Sequence, residues 1–163
     1  MHMGASDEGI CLFDFEYRRS IDTIMSRIEK QIGSRFSDGW HPHFDTLRSQ
    51  IDGYFTGDRK EFDLPLHLVG SPFQVSVWKL LMQIPYAETR SYKKQSILLG
   101  NEKAIRAVAG ANGENGIAII VPCHRVIGEN GSLVGYGGGL PKKQWLLEHE
   151  RKHSGKNGQL GLF

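Results

Sequence analysis

Residues 91–111 read SYKKQSILLGNEKAIRAVAGA, and the fold turns on this stretch. Ser91 to Leu99 and Glu102 to Ala111 are two short helical patterns separated only by Gly100-Asn101, where glycine ends one helix and asparagine caps the next. The spacing is that of a helix-turn-helix. Ala104, Ala107, Ala109, Gly110 and Ala111 dominate the second helix and leave Arg106 as the one long side chain near its middle. Small residues let a helix backbone lie close to another surface, either a neighbouring helix or a nucleic-acid duplex. Lys93, Lys94, Lys103 and Arg106 weigh toward the duplex.

Downstream, Gly116 to Val121 (GIAIIV) is a β-branched apolar run that predicts a buried strand, delivering Pro122-Cys123-His124-Arg125 at its end. Cys123 beside a histidine is either a nucleophile with an available base or a buried structural thiol, because adjacency in sequence does not make a catalytic hydrogen bond. Upstream, Ser71-Pro72 predicts an N-cap and first helical residue, opening a helix through Phe73, Val77, Leu80, Leu81 and Ile84 that Pro85 stops. Phe62 to Val69 carries Pro65 and no helical period, so it reads as an extended connector, with a boundary at Leu68 to Ser71.

Before that boundary, Gly9 to Phe15 reads as a strand in which Cys11 is a packing residue. Ile21, Ile24, Met25, Ile28 and Ile32 recur at helical spacing, with Ser20 as N-cap and Gly33 as stop; Phe44, Leu47, Ile51, Tyr54 and Phe55 repeat the pattern up to Gly57. Met1 to Gly4 reads as an expression scar outside the fold.

The 163 residues are 39% hydrophobic and 23% charged, ordinary for a globular chain and unlike a disordered or fibrous one. No apolar run approaches the roughly 20 residues that cross a bilayer, and no charged-then-apolar leader is visible, so a cytoplasmic address is expected. Two cysteines make no disulfide framework and no structural zinc site. The charge is unevenly spread: residues 1–70 hold 8 basic and 12 acidic side chains, net −4, whereas residues 71–163 hold 12 and 6, net +6. A polyanion would bind the second half, although such asymmetry also arises by chance.

PCHRV at 122–126, preceded by Arg106 and Asn115 and followed by GYGGG at 135–139 and WLLEHE at 145–150, resembles the O6-alkylguanine-DNA alkyltransferases, or methylated-DNA–protein cysteine methyltransferases. SPFQVSVW at 71–78 and IPYAETRSY at 84–92 resemble the same family's lead into its helix-turn-helix. The resemblance implies direct, irreversible transfer of the alkyl group of O6-alkylguanine, and of O4-alkylthymine, from double-stranded DNA to Cys123 after base flipping, with no cofactor and no metal. It implies His124 as a base acting through a water, Glu150 as the carboxylate orienting it, Asn115 as a brace of the active-site turn, and Tyr92 as the hydroxyl assisting the leaving guanine. Arg106 would enter the base stack, with Ala104, Ala107, Gly110, Tyr92 and Arg125 also facing DNA. Val126, Tyr136, Gly137 and Gly138 would form the base pocket.

The implied architecture is α/β: an N-terminal ribonuclease H-like sheet-and-helix domain over 5–68 with its leading strand missing, a mainly helical catalytic domain over 71–151 with a winged-helix-like helix-turn-helix, and a tail over 152–163. Some family members carry serine where this chain has Gly137, which removes a hydroxyl contact to O6. Some bind a structural zinc in the N-terminal half; His41, His43 and His67 do not make such a set and read as surface or satisfied histidines. The tail ends in Gln159-Leu160-Gly161-Leu162-Phe163, which resembles the short peptide by which bacterial repair proteins bind the sliding clamp. A monomer is expected. Two rivals remain: a damage-binding module without catalysis, and a cysteine hydrolase that would turn over without DNA.

Overall fold

The computed structural model describes residues 1–155. It is a mixed α/β structure with six α-helices and two small two-stranded sheets among the described residues. Strands β1 (His2–Ser6) and β2 (Gly9–Asp14) form an antiparallel hairpin. Helices α1 (Ile21–Ile32) and α2 (Pro42–Thr56) follow, ended by Gly33 and Gly57 in left-handed conformation. Then come α3 (Pro72–Leu81), β3 (Arg90–Ser91), α4 (Tyr92–Leu98), α5 (Ile105–Gly113), β4 (Val126–Ile127) and α6 (Leu140–His153). Strands β3 and β4 pair in parallel.

Local signals account for most of the second half. Ser71 accepts from the Gln74 N–H at 3.2 Å while the Gln74 side chain accepts from the Ser71 N–H at 2.9 Å, a reciprocal cap on α3. Ser71→Ala is expected to cost about 1 kcal/mol, read as a lowered Tm. Gly100 ends α4 at φ 79°, and Asn101 accepts from the Lys103 N–H to start the single 3₁₀ turn that leads into α5. The indole of Trp78 donates to the Ala111 carbonyl at 2.8 Å and fastens α3 against α5.

Three expectations are corrected. Residues 2–4 are not outside the fold, since they pair with residues 12–14 as the first strand. Ser20 precedes α1, but it sits in left-handed conformation and its side chain makes no cap bond. Residues 116–121 are fully buried but form a turn, not a strand. A single bridge joins Ile117 to Phe13 of β2, and Ile119 takes φ 71°. The run is apolar because it is buried from all sides, and periodicity cannot separate such a turn from a core strand.

Strand β2 knits the halves together. Its far edge takes Leu66 and Ile117 as isolated bridges, with the Ala118 N–H donating to the Phe13 carbonyl at 2.7 Å. The main apolar core is correspondingly continuous, running from Ile10, Leu47 and Tyr54 through Val77, Val108 and Ile119 to Cys123 and Leu146. Cys11 packs in a smaller cluster with Ile24 and Ile28, and burial pushes its thiol up to about 11, which suits an inert packing role.

Candidate active site

Cys123 opens a 3₁₀ turn, Cys123–Arg125, immediately after Pro122, and is 7% exposed. Asn115 organises the turn before it. The Asn115 amide Nδ2 donates to the Val121 carbonyl at 2.9 Å and to the Cys123 Sγ at 3.2 Å, while its Oδ1 accepts from the Ile117 N–H at 3.0 Å. One side chain thus braces both ends of the turn, within which Ile119 takes a backbone region that β-branched residues avoid. Burial raises the Cys123 pKa and the Asn115 bond opposes that, so the resting group is a thiol that needs a base.

An imidazole is adjacent. His124 is fully buried and its Nε2 lies 2.7 Å from Glu150 Oε1. Burial alone would raise Glu150, but the hydrogen bonds from His124 and Arg125 and the charge of Arg125 outweigh it and hold the carboxyl well below the usual carboxylate range. Glu150 is therefore ionised and can only accept, so Nε2 carries the hydrogen and Nδ1 keeps a lone pair. Burial lowers the His124 pKa, keeping the ring neutral, and Nδ1 has no hydrogen-bond partner among the described residues.

Glu150 is the hub. Besides His124 it accepts from Arg125 Nε at 2.9 Å and Nη2 at 2.9 Å, from the Tyr54 hydroxyl at 2.9 Å and from the Ala87 N–H at 3.0 Å. Ala87 presents that N–H from a left-handed backbone, φ 61°. Arg125, expected to face DNA, is instead 6% exposed and tied to Glu150 and to the Ile84 carbonyl at 2.7 Å. A buried guanidinium needs a buried anion, and Glu150 supplies it.

The thiol opens into a cleft of about 210 Å³ lined by Tyr92, Ala109, Asn112, Gly135, Tyr136 and Gly137 along with Arg19. The Tyr92 hydroxyl lies 3.1 Å and 3.2 Å from the Val134 and Gly135 carbonyls, and burial lifts its pKa to about 12. Lys143, wholly buried, donates to the carbonyls of Val126 at 2.6 Å, Val134 at 2.8 Å and Gly135 at 3.1 Å, and burial pulls it down to about 8. The Val126 carbonyl keeps a second lone pair for a ligand. The Tyr136 hydroxyl has no hydrogen-bond partner among the described residues. Gly137 and Gly138 are closely overlaid: a Cβ would sit 2.5 Å from the Arg18 guanidinium at the first and 2.8 Å from the Phe15 ring at the second, so a side chain at either needs its neighbour to shift.

Helix α5 carries the cleft outward. Arg106, Ala109 and Gly113 share one face by their spacing; the last two line the cleft and Arg106 is exposed one turn beyond it. Ala107 and Gly110 are exposed and Ala104 half-buried.

Sequence reasoning placed Tyr54 in the apolar stripe of the second helix and gave no part in the site to it, to Ala87, to Lys143 or to the buried pair Asp14–Arg18. Arg18 bonds the Asp14 carboxylate and the carbonyls of Gly113 and Asn115, fastening the β2–α1 junction beneath the site. No group of three or more metal-ligating side chains occurs among the described residues. Gln159, Leu160, Leu162 and Phe163 lie outside the described residues.

Comparison with known proteins assigns the chain to a family. Residues 72–152 match the family model for the 6-O-methylguanine DNA methyltransferase DNA-binding domain. The methylated-DNA–protein-cysteine methyltransferase of Mycobacterium bovis is 51% identical over 118 residues, 71% of this chain and 72% of the relative. The chain belongs to the methylated-DNA–protein-cysteine methyltransferase family. A Mycolicibacterium paratuberculosis methyltransferase is 57% identical over 105 residues, 64% of each chain. The crystal structure of Mycobacterium tuberculosis OGT in complex with DNA superposes on this methyltransferase with TM-score 0.78 at 40% identity, covering 93% of this chain and 86% of that one. The family model takes in the whole Cys123–His124–Glu150 cluster, whereas Asp14, Arg18 and Tyr54, which reach into the site from the first half, lie outside it.

Proposed function

We propose that this methyltransferase repairs double-stranded DNA by moving the alkyl group of O6-alkylguanine, and of O4-alkylthymine, irreversibly onto Cys123. The observation that carries this reading is His124, fixed through Nε2 by Glu150 with Nδ1 lacking a hydrogen-bond partner among the described residues, next to the Cys123 thiol in the wall of a cleft. The Cys123 proton passes through one water to Nδ1. The thiolate attacks the alkyl carbon, the carbon–O6 bond breaks with its electron pair going to oxygen, and the guanine anion is neutralised by proton donation from the Tyr92 hydroxyl. The thioether formed has no leaving group for water to displace, so each molecule acts once.

A thiol within a cleft cannot reach O6 inside a duplex, so the base must rotate out at a cost of a few kcal/mol. Ala107 and Gly110 allow α5 close approach in the minor groove, and Arg106, one turn beyond the cleft, fills the gap left in the stack. The Val126 carbonyl and the Tyr136 hydroxyl are groups with unused bonding capacity for the base. The same reading takes the residues up to 68, with β1 as the leading strand that was expected to be missing, as a ribonuclease H-like unit and 71–151 as a winged-helix-like catalytic unit, in a cytoplasmic monomer. Its tail, Gln159 to Phe163, serves as a sliding-clamp peptide, which deletion of the last five residues tests: clamp binding in a titration should vanish, and unchanged binding would remove that role.

The function is tested by titrating the protein with a duplex carrying one O6-methylguanine. Lesion loss should plateau at one per protein and be absent in Cys123→Ala. Continued turnover would favour a hydrolase, and tight lesion-selective binding without loss would favour a damage-recognition module. The single-turnover rate should stay level as pH falls through 6.5, the ordinary histidine value, and drop only below it, because burial lowers His124; an acid limb centred above 6.5 would contradict a buried neutral base.

A further inference from the structure

We propose that Arg19, contributed by the N-terminal half, is a DNA-phosphate contact at the mouth of the Cys123 cleft. The inference rests on the function proposed above and extends it to a part of the chain outside the matched DNA-binding domain. Arg19 is exposed yet lines the same cleft as Cys123, Tyr92 and Ala109, which places its cation at the rim. Its side chain makes no hydrogen bond or ion pair with any described residue. Of the acids around it, Asp14 is bonded by Arg18 and Glu114 by Arg27 at 2.9 Å, and the exposed Glu16 and Asp22 make no ion pair with it.

The backbone around Arg19 is anchored. Arg18 is buried and bonded to the Gly113 and Asn115 carbonyls, which fixes the segment against the C-terminal end of α5. Ser20, also lining the cleft, holds a left-handed conformation (φ 67°) with no side-chain cap to compensate it. Strain of this kind persists where the surrounding structure over-determines it, and it concentrates at ligand-binding segments. Arg106 and Gly113 are separated by seven residues, or about 10 Å along α5. Arg106 and Arg19 therefore stand toward opposite ends of the helix that borders the cleft. A nucleotide rotated into the cleft carries its flanking phosphates across this interval, where an unpaired guanidinium forms a charge-assisted bond to a phosphate oxygen.

The test is equilibrium binding of full-length protein to a lesion-bearing duplex over a range of salt, comparing the natural protein with Arg19→Ala, Arg19→Lys and Arg35→Ala. Arg35 lines a different cleft, beside Cys11, and its loss reports the general effect of one positive charge. Arg19→Ala should weaken binding about tenfold at low salt and reduce the slope of log affinity against log salt by about 0.9, the signature of one lost phosphate contact. Arg19→Lys should recover most of that slope, and Arg35→Ala should stay within about twofold of the natural protein. Equal losses for Arg19→Ala and Arg35→Ala, or an unchanged slope, would overturn the proposal. Absence of lesion binding and alkyl transfer in the natural protein would instead overturn the function on which it rests.

Discussion

Replacing Glu150 by glutamine is expected to slow alkyl transfer by about 10²- to 10⁴-fold, the range of a positioned general base. It is also expected to lower unfolding free energy by about 3–5 kcal/mol, the range for breaking a buried ion pair. Five donors converge on the two carboxylate oxygens: His124 Nε2, Arg125 twice, Tyr54 and Ala87. An amide offers one oxygen and one NH₂. If the NH₂ takes the position near His124, the ring must present a lone pair at Nε2 and move its hydrogen to Nδ1, which abolishes the base. If it takes the other position, the Ala87 N–H and the Arg125 Nε–H face a donor, and in both cases Arg125 loses its counter-charge. The stability loss has a definite pH window. The folded-state pKa of Glu150 is depressed, so its contribution is present above the unfolded value near 4.5 and lost as pH falls through the folded one. The two proteins should differ most at neutral pH and converge in acid. Denaturant unfolding with single-turnover rates checks both halves, and a variant as stable and fast as the natural protein would contradict the hub role of Glu150.

Arg18→Leu is the second large effect. It strands the Asp14 carboxylate, which is wholly buried, and removes the bonds that hold the Gly113 and Asn115 carbonyls. The expected cost is about 3–5 kcal/mol at neutral pH. Burial already raises Asp14 with Arg18 beside it, and removing the cation raises it further. A carboxyl whose folded pKa lies above its unfolded value stabilises most at low pH, below the unfolded value near 3.8, and loses that contribution as pH rises through the folded one. The deficit of the variant should shrink on acidification, and a deficit independent of pH would show that lost packing, rather than the stranded carboxylate, is responsible.

The elements that a reader of the sequence finds are those whose signals are local. Gly100 and Asn101 mark the turn between α4 and α5, Ser71 and Gln74 cap α3, and Gly33 and Gly57 stop α1 and α2, each by an interaction within a few residues. Residues 116–121 mislead because burial makes a braced turn as apolar as a strand, and the brace is Asn115, not a ladder. Arg125, which the family resemblance implies faces DNA, is instead paired with Glu150, a partner 25 positions later that no local signal announces. Tyr54 is 96 positions from the carboxylate it bonds, and nothing local to Lys143 marks it as the lysine over which three loop carbonyls close. Cys123, His124 and Glu150 are legible as a set through family resemblance, since nothing in their spacing alone brings them together.

The central claim is that Cys123 is the alkyl acceptor, and the most direct measurement is the intact mass of the protein after incubation with a duplex carrying one O6-methylguanine, followed by peptide mapping. The account predicts a single added methylene mass located on Cys123, absent with unmodified DNA and absent in Cys123→Ala. Lesion loss with no mass gain, or a gain located on any other residue, would contradict it.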